Sequence, residues 1–94
     1  MNTKKKIDER VVKLVLMLGT ATIPRRELIP MLGLRLDGRR NFRVNYLNPA
    51  RERGLVEMEY PEVPSLPIQA YRLTAKGLEY LAELSKKDPE HSPD

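Results

Sequence analysis

Apolar residues near the start of this 94-residue chain recur at Ile7, Val11, Leu14, Val15 and Leu18. Intervals of three and four line one face of a helix, which Gly19 ends. Val12 and Leu16 widen the stripe and predict a helix covered on two sides. A second, short helix is expected from about Pro24 to Leu32: Pro24 suits a first turn, Glu27 favours the positive end of the helix, and Gly33 stops it. Pro30 removes an interior hydrogen bond, which predicts a kink or an early finish near Ile29. Asp37 is read as the N-cap of a third helix, because its carboxylate can accept free backbone N–H groups. Phe42, Tyr46 and Ala50 then share a face at four-residue spacing, with Leu47 beside them. Asn48-Pro49 interrupts this helix as a kink or a fresh cap, and Gly54 closes it.

From Leu55 the period changes to strict alternation. Val56, Met58 and Tyr60 face one way, Glu57 and Glu59 the other, as in a half-buried strand. Pro61, Pro64 and Pro67 keep the connecting loop out of any hydrogen-bonded ladder. Residues 68–73 return as the partner strand. Thr74 caps a last helix whose stripe is Leu78, Leu81, Ala82 and Leu84. The order α1-α2-α3-β-hairpin wing-α4 describes an α+β winged helix-turn-helix, in which the third helix is the one presented to the DNA major groove. Residues 1–6 read as a flexible polar leader, 7–86 as the domain, and 87–94 as a disordered tail with two prolines and no large apolar side chain.

Ninety-four residues make one domain with a single modest core. The net charge of +4 is mild, but its distribution is not. Between Arg25 and Arg53 lie eight arginines and only three acids, Glu27, Asp37 and Glu52, so the local excess is five positive charges. With no cysteine and one histidine, His91, neither a disulfide frame nor a thiolate or histidine metal cluster is available, and no cofactor is expected. The apolar run from Val11 to Leu18 is too short to span a bilayer, and Lys4 to Lys6 lead into acids instead of a signal core. A cytoplasmic protein is expected.

With Phe42, Tyr46 and Ala50 turned inward, 100° per residue puts Arg40, Asn41, Val44, Asn48 and Arg51 on the outer face of the third helix, with Arg43 at its edge. Arginine forks onto guanine, asparagine pairs with adenine, and valine packs on a thymine methyl. Charge on a helix more often marks only a solvated face. Here the third position in the fold and the shortage of acids favour double-stranded DNA, with Arg39, Arg40, Asn41, Arg43 and Val44 in the major groove and Arg25, Arg26 and Arg35 on phosphates. Glu57 and Glu59 resemble an acid–base pair, but with no histidine, Gly-rich loop or pocket signal nearby they fit a protected strand edge better, and no enzyme is expected.

The string Gly38-Arg39-Arg40-Asn41-Phe42-Arg43-Val44-Asn45-Tyr46-Leu47-Asn48-Pro49-Ala50, with Gly54 to Met58 and Tyr71-Arg72-Leu73-Thr74-Ala75-Lys76-Gly77, resembles the C-terminal winged-helix module of Fic-family proteins. Similar modules end the Schlafen-like ATP-binding regulators of bacterial transcription. The resemblance runs from about Pro24 to Leu84. It implies a DNA-binding domain with a two- or three-stranded wing, attached in the family to a catalytic domain on a longer parent chain. The Fic active-site signature, a His-Pro-Phe loop followed by Gly-Asn-Gly-Arg, is absent from this sequence. One departure is the wing, Glu62 to Pro67, which has no cation where such wings often carry lysine or arginine. The alternative is a protein-interaction module of the same fold, with homodimerisation through the first or last helix also open.

Overall fold

A computed structural model of the chain describes residues 8–35 and 37–86, so the polar leader, Ile7 and the tail from 87 lie outside the described residues. Helix α1, Glu9–Leu18, starts where the Asp8 side chain accepts from the Arg10 N–H at 2.8 Å. Val11, Leu14, Val15 and Leu18 are buried, and Gly19 ends the helix at φ 55°, its N–H on the Val15 carbonyl. Leu16 is 54% exposed, so α1 is covered on one side, not the two that the wide stripe implied. Its partners, the third and last helices and the central strand, all lie against that one face.

A short strand not expected from the spacing precedes the second helix. Ile23–Pro24 forms β1, which moves Pro24 out of the second helix; α2 is Arg25–Met31. A two-residue strand is too short to show a period, and its proline fits an edge position. Pro30 lies inside α2 without ending it. The N–H that proline lacks would have reached only the carbonyl of Arg26, in the first turn of the helix. Gly33, at φ 81°, closes the end by donating to the Pro30 carbonyl while Leu34 donates to Ile29, and Lys13 Nζ adds a bond to the Leu32 carbonyl at 3.1 Å.

Helix α3 runs unbroken through residues 39–52 as three segments: α-helical Arg39–Asn41, π-helical Phe42–Leu47 and α-helical Asn48–Glu52. Its N-cap is Gly38, with no side-chain cap bond; Asp37, expected there, lies one residue too early and instead takes the Arg35 guanidinium at 3.3 Å. At Asn48-Pro49 the chain passes from the π-helical to the α-helical segment with Leu47 and Asn48 both in right-handed helical conformation. The Asn48 N–H reaches back five residues to the Arg43 carbonyl, and this wider turn lets the proline ring follow without striking a carbonyl four residues back. At the far end Gly54, at φ 75°, donates to Arg51 and Leu55 donates to Ala50, a paired bond pattern that only a left-handed residue permits.

Strands β2, Val56–Met58, and β3, Ala70–Leu73, complete an antiparallel sheet of order β1-β3-β2, with Ile23 and Met58 both opposite Tyr71. Helix α4, Ala75–Lys86, follows. Each named residue of the Tyr-x-Leu-Thr-x-x-Gly string has a place in this packing. Tyr71 is buried with its ring 5.5 Å from Phe42 and tilted 52° to it, and Leu73 is core. Thr74 Oγ1 accepts from the Gly77 N–H at 3.0 Å and donates to the Gly54 carbonyl, tying α4 to the end of α3. Gly77 is buried because α4 crosses Leu55 closely; a Cβ there would overlap the Leu55 carbonyl oxygen. That close approach turns Leu78 outward, 42% exposed, so the expected stripe of α4 is replaced by half-buried Tyr80, Leu81 and Leu84.

Candidate nucleic-acid interface

Three positions in the first two turns of α3, Arg39, Arg40 and Asn41, are exposed, as are Arg43 and, at 45%, Val44. None of these arginines forms an ion pair among the described residues. Asn41 is oriented by a neighbour absent from the expected set: Asn45 Nδ2 donates to its Oδ1 at 2.6 Å, which leaves the Asn41 amide N–H groups for an outside acceptor. An (i, i+4) asparagine pair carries little signal in a sequence, because either residue could equally face solvent alone.

The structure divides the expected residues into two sets. Arg40, Asn41 and Val44 stand on the open face. Arg25, Arg39 and Arg43 line a groove of about 480 Å³ between α3 and the wing, joined there by Arg51. Its floor is apolar, from Phe42, Leu47, Met58 and Tyr71, and Pro64 and Ser65 of the wing loop make the far wall. An adjoining depression of about 450 Å³ brings Arg26 beside Arg25 and Arg39. Arg35 stands apart, its guanidinium on Asp37 with both side chains largely in solvent, a pairing of at most about 1 kcal/mol.

The wing loop reaches this place because it folds back on the sheet. The Arg25 N–H donates to the Gln69 carbonyl at 2.8 Å and Arg25 Nη2 to the Leu66 carbonyl at 3.3 Å. Arg25 therefore fastens the wing as well as lining the groove. Burial pushes the Tyr71 hydroxyl above its ordinary pKa, while the guanidiniums of Arg25, then Arg51 and Arg43, pull it back down. Three cations from distant points of the chain thus act on one phenol.

Glu57 and Glu59 face away from the groove. Both carboxylates hold Arg72 on the neighbouring strand, Glu57 at 2.9 Å, which makes them a cross-strand ion cluster at the sheet edge. Glu62 is exposed in the wing, and so are Val63 and Ile68. Among the described residues no group of three or more metal-ligating side chains occurs, and no helix is long and apolar enough to cross a membrane.

Residues 9–74 match the family model described as "Filamentation induced by cAMP protein Fic-like, C-terminal domain". The chain is also similar to a crystal structure of a Fic family protein from Desulfovibrio desulfuricans G20, with 39% sequence identity and a TM-score of 0.67. That similarity covers 80% of this chain and 22% of the crystallised one. No curated protein sequence matches. A family model spanning most of the chain, with a solved relative of the same fold, shows that this chain belongs to the Fic-like C-terminal domain family.

Proposed function

We propose that this domain binds double-stranded DNA, as a bacterial transcriptional regulator or as the DNA-binding module of a longer protein, with α3 in the major groove. The observation that carries this reading is the exposure of Arg39, Arg40 and Arg43 together on α3 with no carboxylate partner among the described residues. Unpaired guanidiniums on a convex helix suit phosphates and guanine edges, and Asn41 and Val44 add groups able to read adenine and thymine. Arg26 supports a phosphate contact from α2. The module is read as a binder, and where it forms part of a longer chain the chemistry belongs to a separate domain.

Titrating a labelled duplex at several salt concentrations tests this. Affinity should fall steeply, with a log–log slope of about −0.9 for each phosphate contacted. The Arg40→Ala/Arg43→Ala variant should flatten that slope by about two contacts and weaken binding. Unchanged duplex affinity in that variant refutes the assignment of α3.

A second reading, docking of a protein partner on the wing, is favoured by the wing itself. Its segment from Glu62 to Pro67 has no cation, and Val63 and Ile68 expose apolar surface at 45% and 56%. A minor-groove contact wants positive charge, whereas a protein contact does not.

A further inference from the structure

We propose that the groove between α3 and the folded-back wing is a binding site for an organic phosphate of mononucleotide size, its phosphate held by the arginines of α3 and its flat body lying on the apolar floor. Charge is the first argument. Four guanidiniums, Arg25, Arg39, Arg43 and Arg51, line the groove against one carboxylate, Asp37, and that carboxylate already holds Arg35 at 3.3 Å. Like charges gathered over an apolar floor raise the local potential, which an oxyanion relieves, and the arginine fork matches phosphate bidentately.

Size and shape narrow the ligand. About 480 Å³ falls within the roughly 300–1,000 Å³ of small-molecule sites and far exceeds what a bare phosphate fills. Met58 at the bottom and the exposed Pro64 of the wing wall give the groove an apolar share that accommodates an apolar or aromatic body attached to the anion. The site is also built in advance: Gln69 and Arg25 hold the wing wall in place by hydrogen bonds, so little ordering opposes binding. Independently, Phe42, Arg43 and Leu47 of the lining all belong to the π-helical segment, a distortion that helices often keep at functional sites. Arg25, Arg43 and Arg51 all line the groove together with Tyr71. Arg40, Asn41 and Val44 lie outside the groove, which leaves the convex face to a duplex and the concave one to something smaller. Arg39 and Arg43 belong to both, so an occupied groove competes with DNA; this half of the proposal rests on the DNA-binding reading.

The test titrates the isotope-labelled chain, without DNA, with thymidine 5′-monophosphate, thymidine and inorganic phosphate in parallel, following arginine Nε and Met58 methyl resonances. The monophosphate should bind at least about tenfold more tightly than either fragment. Arg43→Ala/Arg51→Ala should weaken it by about tenfold or more with circular dichroism unchanged. Ser65→Trp, which fills the groove from the wing and keeps every charge, should block it as well, and decides the matter should the double variant fail to fold. Equal affinity for inorganic phosphate, or normal binding by Ser65→Trp, overturns the site. Saturating nucleotide should then weaken a duplex by about tenfold at constant ionic strength, and an unaltered duplex affinity overturns the competition. A chain that takes the nucleotide but no duplex refutes DNA binding and leaves the pocket standing.

Discussion

Gln69 and Tyr60 hold each other through both ends of one side-chain amide: Gln69 Oε1 accepts from the Tyr60 N–H at 2.9 Å, and Gln69 Nε2 donates to the Tyr60 carbonyl at 2.8 Å. The same nitrogen reaches the Val63 carbonyl at 3.2 Å, and the side chain is fully buried. Pro61, Pro64 and Pro67 strip the wing of ladder donors, so one glutamine supplies cross-strand bonds that the backbone cannot. Gln69→Leu preserves volume and leaves the Tyr60 N–H without its acceptor, while the Tyr60 carbonyl keeps only the Val63 N–H at 3.2 Å. It should cost about 2–3 kcal/mol by urea unfolding and speed amide exchange at Tyr60. A loss under about 0.5 kcal/mol would mean the wing is held by other contacts.

Gly77→Ala should destabilise by about 2–4 kcal/mol, although alanine gains about 1 kcal/mol in helix propensity. The new Cβ overlaps the Leu55 carbonyl oxygen and closes on Leu73 Cβ at 3.0 Å, and backbone cannot step aside as a flexible side chain would. Thermal unfolding measures this, with Leu78→Ala on the same helix as a mild control. Comparable melting of the two variants would contradict the close crossing of α4 over Leu55.

Removing the tie between helices should also register. Thr74→Ala deletes both the cap on the Gly77 N–H and the bond to the Gly54 carbonyl, for an expected loss of about 1–2 kcal/mol in chemical unfolding. Thr74→Ser keeps both bonds and should recover most of it.

Tyr71 makes stability depend on alkaline pH. Burial raises its pKa above the ordinary value of 10.0, so the neutral phenol stabilises the fold fully below about pH 10, and that contribution is lost as pH rises through the folded-state pKa. Tyr71→Phe should flatten the alkaline arm of the unfolding curve and remove a late component from the ultraviolet titration of the tyrosines. An alkaline arm unchanged by the substitution would assign it elsewhere.

Glu62 probes what the wing faces. Glu62→Lys reverses an exposed charge of the wing loop, whose Pro64 and Ser65 wall the basic groove, and should tighten duplex binding, with the salt slope steeper by about 0.9. Identical duplex affinity and slope would turn the wing away from DNA and toward a protein partner.

The amino-acid sequence alone determined the stripes and their stops. Val11 to Leu18, the inward face of Phe42, Tyr46 and Ala50, the alternation through Met58, and the Thr74 cap were legible because each depends on residues a few positions apart. The arginine loading of α3 was legible for the same reason. Only the tertiary structure decided that Ile23–Pro24 is a strand, since two residues have no period and need Tyr71 and Ala70 opposite them. It also decided that α3 widens into a π turn instead of breaking at Pro49, that Gln69 folds the wing back, and that Arg25 and Arg51 share one groove with Arg39 and Arg43. Those features join positions far apart in the chain, and no local spacing records which of many exposed arginines the packing will bring together.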